Sequence, residues 1–220
     1  MFGGLDSHDL PVARLALHSE AAVLAVDYRL APEHKYPAAL YDAWDALNWV
    51  VEDGREQNLD PRRVAVAGDS AGGALSAGMA LMARDRGGPL LRAQGLIYPA
   101  LRVTRPAIAT DSPGLDEVAV SAALSAYLSA PRDAQDPYAM PLMASDFTQL
   151  PPAVICAAEL DVVLPDALEY AAALDAAGVP QRLIVAHGLP HTFLRALHFC
   201  GGAERAFTDF GRAMAELLQG

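Results

Sequence analysis

The sequence is poor in cysteine, in positive charge and in long apolar runs. Its 220 residues include two cysteines, too few for a disulfide framework. Lys and Arg number 16 against 27 Asp and Glu, a formal net charge of −11. No window is rich in Lys or Arg, so nucleic acid is not an expected partner. The apolar stretches are short and interrupted by Pro, Gly or charge, so none is expected to span a bilayer or to bind a membrane. The stretch "MFGGLDSHD" carries neither a basic segment nor an apolar h-region, so no signal peptide is expected and the expected location is cytoplasmic. Neither Cys156, within the apolar run "PPAVICAAE", nor Cys200 has a neighbour in sequence that would activate a thiol, and Cys156 reads as a buried free thiol in a core strand.

Apolar residues are plentiful, at 53%, enough for a large core. Five short runs read as strands: "AAVLAV" from Ala21, "RVAVAG" from Arg63, "AQGLIYPA" from Ala93, "PAVICAA" from Pro152 and "QRLIVA" from Gln181. Most are apolar at successive positions, the mark of strands buried on both faces of a parallel sheet. Helical patterns lie between them. After Pro37, residues Leu40, Ala43, Trp44, Leu47, Val50 and Val51 follow helical spacing, and further helices are expected over about 70–85, 166–177 and 202–218. The alternation predicts one α/β domain over 1–220 with a mostly parallel sheet and helices on both faces. The Pro-rich segment 102–150, with Pro106, Pro113, Pro131, Pro137 and Pro141 and one helical stretch, "DEVAVSAALSAYLSA", is too long for an ordinary connection. It reads as a cap-like insertion passing over the sheet.

Gly68-Asp69-Ser70-Ala71-Gly72 fits the pattern G-x-S-x-G. The pattern alone is weak, but here a buried strand leads into it and a helix leads out. Such a turn strains the serine backbone and lifts its hydroxyl above the sheet edge, with Gly68 and Gly72 sparing a Cβ clash. The helix N-terminus behind Ser70 favours developing negative charge, with the Ala71 N–H as one donor. A phosphate-binding turn is the competing reading; no Lys follows as in a P-loop, and no G-x-G-x-x-G is present.

A nucleophilic serine needs a base and an orienting acid, in the chain order Ser, acid, His. His187 and His191 follow the last strand, where the site residues of open α/β sheets gather, and His198 comes later. The acid belongs after the preceding strand, where Glu159, Asp161 and Asp166 stand. Asp166 opens the next helix, which alone accounts for an acidic residue there. Asp161 stands just past the strand and has no such duty.

Several stretches resemble the hormone-sensitive-lipase family of α/β-hydrolases, the bacterial carboxylesterases of that group: "LDSHD" at Leu5, "VDYRLAPEHKYPAALYDAWDALNWV" from Val26, "GDSAGG", and "DPYAMPL" from Asp136. The resemblance runs nearly to the C-terminus. It implies Ser70 as nucleophile, Asp161 in place of the Asp of D-P-L-R (here Asp161-Val162-Val163-Leu164) and His191 in place of the His of H-G-F (here His191-Thr192-Phe193). It implies carboxylic esters of short to medium chain as small-molecule substrates, and no metal or organic cofactor. A lactonase or amidase of the same fold is not separable at this level. The family's His-Gly-Gly-Gly oxyanion loop is not found, nor are its N-terminal cap helices and first three strands, so the resemblance is to an N-terminally truncated member. A catalytically impaired, binding-only fold is the rival reading.

In that family "AAVLAV" and "RVAVAG" would be the fourth and fifth strands, with the third between them. Two repairs of the gap are expected. Residues 22–27 pair directly with 63–67, drawing Gly3 and Gly4 toward Ser70 as substitute oxyanion donors; or a second copy lends a strand, giving a homodimer.

Overall fold

The computed structural model describes residues 2–104 and 112–220. Its centre is a parallel sheet of four strands in sequential order, β1 (Ala65–Asp69), β2 (Ala93–Ile97), β3 (Ala153–Leu160) and β4 (Gln181–Pro190). Among the described residues six α-helices accompany it: α1 (Leu5–Ser19), α2 (Ala38–Glu52), α3 (Ala71–Arg86), α4 (Glu117–Tyr127), α5 (Leu164–Ala176) and α6 (Gly201–Gln219).

Alternate residues of β3 divide between two cores. Ala153, Ile155 and Ala157 pack with α2, α3 and α5, while Val154, Cys156 and Ala158 pack with α6 and Leu15 of α1. Both faces are therefore buried, which is why the strand sequences do not alternate. Cys156 is a free, buried thiol whose pKa is pushed up to about 12, chiefly by burial. No helix among the described residues is long and apolar enough to cross a membrane.

Helix α1 has no counterpart in the periodicity reading, because Pro11 lies inside it and proline reads as a helix breaker. It packs on α6 so closely that a Cβ on Gly211 would overlap the Cβ of His18. The segment between β2 and β3 carries α4, begun by Asp116, whose carboxylate accepts the Ala119 N–H at 2.7 Å. Residues 105–111 of that segment, Pro106 among them, lie outside the described residues. The segment is tied to the stretch before α2. The Tyr36 hydroxyl donates to Asp136 at 2.7 Å, the Ser129 hydroxyl donates to the Tyr36 carbonyl at 2.6 Å, and the Tyr138 carbonyl sits against Gly78 of α3.

Direct pairing of residues 22–27 with 63–67 within the chain does not form. Residues 22–30 are irregular, and β1 pairs only with β2. Both ends of the 23–28 segment are anchored away from β1. Helix α1 is held on α6, and Arg29 donates to Asp42 of α2 from its backbone N–H at 2.9 Å and from its guanidinium at 2.7 Å. A cavity of about 210 Å³ remains along the outer edge of β1, lined by Val23, Val26 and Tyr28 on one side and Ala67 and Gly68 on the other. Ala67 is exposed although it lies in mid-strand. Backbone groups that lack partners open easily. Amides of residues 23–28 are expected to exchange with deuterium far faster than those of β3. Protection of 23–28 equal to that of β3, measured by exchange mass spectrometry, would show instead that the segment is paired in solution.

Candidate active site

Ser70 joins β1 to α3. Its backbone takes φ 53° and ψ −112°, a region costly for a residue with a side chain. The surroundings hold it there. Its N–H donates to the Ile97 carbonyl at 2.8 Å, and its carbonyl accepts the Ala74 N–H at 3.1 Å. A Cβ on Gly68 would overlap the Gly72 carbonyl, so the turn closes only with glycine at that position. Gly72 differs from the expectation, since a Cβ there would meet open space. The second crowded glycine is Gly73, where a Cβ would lie 2.9 Å from Pro99. Gly72 faces the cavity beside β1, and Gly73 faces the chain leaving β2.

Three loops at the C-terminal ends of β1, β3 and β4 bring Ser70, Asp161 and His191 together. Asp161 is fully buried and accepts the Val163 N–H at 3.0 Å. Its Oδ2 lies 2.6 Å from His191 Nδ1, and His191 Nε2 lies 2.9 Å from Ser70 Oγ. A carboxylate only accepts, so Nδ1 donates to Asp161 and Nε2 is left to accept from the Ser70 hydroxyl. His191 is 6% exposed, while Ser70 is half-buried and Ala71 is open to solvent. The serine is therefore reachable from outside while its partners are dry.

The other candidates are placed elsewhere. Strand β4 runs four residues beyond the "QRLIVA" run, so His187 lies within the strand. There it pairs in the open with Glu159, Nδ1 to Oε1 at 3.0 Å, and this partner lowers the Glu159 pKa. His198 is exposed and sets its ring edge-on to Phe199. Asp166 is more than a helix-opening residue. Fully buried, it accepts the Leu101 N–H at 2.8 Å and Arg102 Nε at 3.1 Å, while Arg102 also reaches Glu169. It clamps the chain leaving β2 to the start of α5. Thr192, standing where the family has glycine, has φ 60°, the left-handed region glycine favours.

Gly3 and Gly4 line the cavity together with Gly68, Asp69 and Gly72. The Gly4 N–H donates to Ser7 Oγ at 2.9 Å, so that amide is already engaged. Two residues here carry no catalytic motif in the sequence, His8 and Tyr98, both joined to Asp69. His8 Nε2 lies 3.4 Å from Asp69 Oδ1, and the Tyr98 hydroxyl donates to Asp69 Oδ2 at 3.2 Å. Tyr98 falls inside the run "AQGLIYPA" that reads as a strand, and only the end of β2 at Ile97 sets it just past the strand.

The His8 pKa is raised above its ordinary 6.5, first by hydrogen bonding to Asp69. A raised folded-state pKa means that the pair stabilises fully below the unfolded pKa and loses this contribution as pH rises through the raised value. The difference in melting temperature between the protein and His8→Ala is therefore expected to be largest in mild acid and to vanish in alkali. Melting curves across neutrality check this; a difference that grows with pH would contradict it.

This fold has known relatives. The chain matches the model of the alpha/beta hydrolase fold family over residues 1–195, and it belongs to that family, on its hormone-sensitive-lipase-like branch. It is 43% identical over 200 residues to Esterase LipI of Mycobacterium tuberculosis, covering 88% of this chain and 62% of that protein. It is 44% identical over 225 residues to Carboxylesterase NlhH of the same species, covering 98% of this chain and 69% of that one. The chain thus spans about two thirds of the length of these relatives. Among solved structures, the hyperthermophilic esterase of Pyrobaculum calidifontis superposes with a TM-score of 0.92 at 37% identity, covering 98% of this chain and 71% of that one. The metagenomic carboxylesterase EstE1 superposes with a TM-score of 0.94 at 35% identity, covering 100% of this chain and 76% of that one.

Proposed function

We propose that the protein is a serine carboxylesterase acting on short- to medium-chain carboxylic esters, with Ser70 as nucleophile, His191 as general base and acid, and Asp161 as its orienting partner. The continuous line from Asp161 through His191 to Ser70, at 2.6 and 2.9 Å, carries this reading. The names of the relatives and structural neighbours supply the ester as substrate class.

Ser70 Oγ attacks the ester carbonyl carbon while its proton passes to His191 Nε2. Asp161 holds the Nδ1–H tautomer and stabilises the imidazolium. The carbonyl oxygen becomes an oxyanion beside the Ala71 N–H at the head of α3. Collapse breaks the bond to the alkoxy oxygen, which takes the proton from His191 and leaves as the alcohol. An acyl group remains on Ser70. Water then attacks it with His191 again as base, releasing the acid and restoring the hydroxyl.

The Gly4 N–H already donates to Ser7 Oγ, so this reading relies on the Ala71 N–H, and a single oxyanion donor is worth about 10²–10³ in rate. Hydrolysis of a short-chain aryl ester by the wild-type protein and by Ser70→Ala tests the proposal. Equal rates would leave the binding-only reading in its place.

A further inference from the structure

Tyr98 occupies a position that the catalytic reading leaves unexplained. It is the first residue after β2 and has φ 34°, a rare conformation for an aromatic residue. Its N–H donates to the Cys156 carbonyl at 2.6 Å, and its side chain is 1% exposed. The ring centroid lies 4.7 Å from that of His191 at an interplanar angle of 53°, and 5.1 Å from Phe193 in a T-shaped contact. The hydroxyl donates to Asp69, the residue before the nucleophile. Burial first and Asp69 second raise its pKa well above the usual tyrosine value, so the hydroxyl keeps its proton and the hydrogen bond persists. The backbone is thus tied to β3, and the side chain is held by Phe193 and Asp69 and also meets the imidazole.

We propose that Tyr98 is a positioning residue for His191. Its ring holds the imidazole where Nδ1 meets Asp161 and Nε2 meets Ser70, and its π-system, tilted 53° to the imidazole, lies near enough to favour the imidazolium formed when His191 takes the Ser70 proton. A cation within about 6 Å of an aromatic centroid is attracted to it, and the centroid separation falls inside that range. Burial and the Phe193 contact hold the ring itself, and the hydroxyl bond to Asp69 adds a link to the turn that carries Ser70.

The inference rests on the esterase reading and makes a distinction that a packing role would not. The His191 proton matters most when the leaving group is a poor one. An alkyl ester releases an alkoxide that must be protonated; a nitrophenyl ester releases a phenolate that scarcely needs it. Loss of the ring is therefore expected to lower kcat/KM for ethyl acetate about 5- to 30-fold, and by a smaller factor for p-nitrophenyl acetate, where only the role of His191 as base is felt.

The test compares Tyr98→Leu, Tyr98→Met and Tyr98→Phe with wild type on both esters, with folding checked by circular dichroism. Methionine fills the volume without a ring, in case leucine fails to fold. The expected result is a loss in the ringless variants that is selective for ethyl acetate and largely rescued in Tyr98→Phe. An equal loss on both esters, or none, would overturn the proposal. A second readout does not depend on turnover. The low-field proton resonance of His191 Nδ1–H is expected in wild type and Tyr98→Phe, and broadened or lost in the ringless variants. Its persistence unchanged in a folded ringless variant would overturn the proposal even where wild type proves inactive, an outcome that by itself would count against the esterase reading alone.

Discussion

Ser70→Ala is expected to lower the hydrolysis of a short-chain aryl ester by about 10⁴–10⁶-fold. The size follows from what the hydroxyl does. Without Oγ no acyl-enzyme forms, and His191 has no nucleophile to activate. Any residual rate would come from binding and from the oxyanion donors at the head of α3. The substitution removes one atom from a half-buried side chain that forms none of the helix-capping bonds, so folding is expected to survive. Melting temperature and circular dichroism should match wild type while activity disappears. A variant that keeps a tenth of the wild-type rate would place the reaction elsewhere.

The second large effect is expected for Asp161→Asn. An amide at this position can present N–H to Nδ1 and so favour the tautomer whose Nε2 carries the proton. That imidazole has no lone pair with which to accept the Ser70 proton, and comparable triads lose about 10⁴ in kcat. The same substitution at Glu159 gives the control. Glu159 pairs with His187 on the exposed side of β4, so Glu159→Gln is expected to change the rate by less than about 2-fold, as exposed substitutions do. If Glu159→Gln were the damaging change and Asp161→Asn the mild one, the hydrogen-bond line through His191 would not be the working one.

The site was more legible in the sequence than its supports. Ser70, Asp161 and His191 each stand just past a strand whose apolar run is plain, and parallel strands deliver such residues to one end of the sheet. Rank among the histidines was not readable from spacing, because β4 extends to Pro190 and carries His187 within it; the family resemblance pointed to His191. Helix α1 was hidden by Pro11, whose effect depends on neighbours that a periodicity count does not see. The run 21–26 misled for the opposite reason. Its residues suit a strand, but a strand exists only where a partner backbone lies alongside, and the anchors at α6 and at Asp42 keep this segment from β1. Gly72 and Gly73 changed places because crowding depends on Pro99, which arrives from another strand. Tyr98 escaped notice because its contact with His191 arises from a backbone turn at φ 34° that nothing in "LIYPA" announces.

The most direct test of the central claim is covalent capture of the nucleophile. The protein is incubated with an alkyl fluorophosphonate, which transfers its phosphonyl group to an activated serine with loss of fluoride, and the product is mapped by peptide mass spectrometry. One phosphonyl group per chain on Ser70, blocked in both Ser70→Ala and His191→Ala, is the predicted result. A wild-type chain that stays unlabelled, or a label that persists in Ser70→Ala, would contradict it.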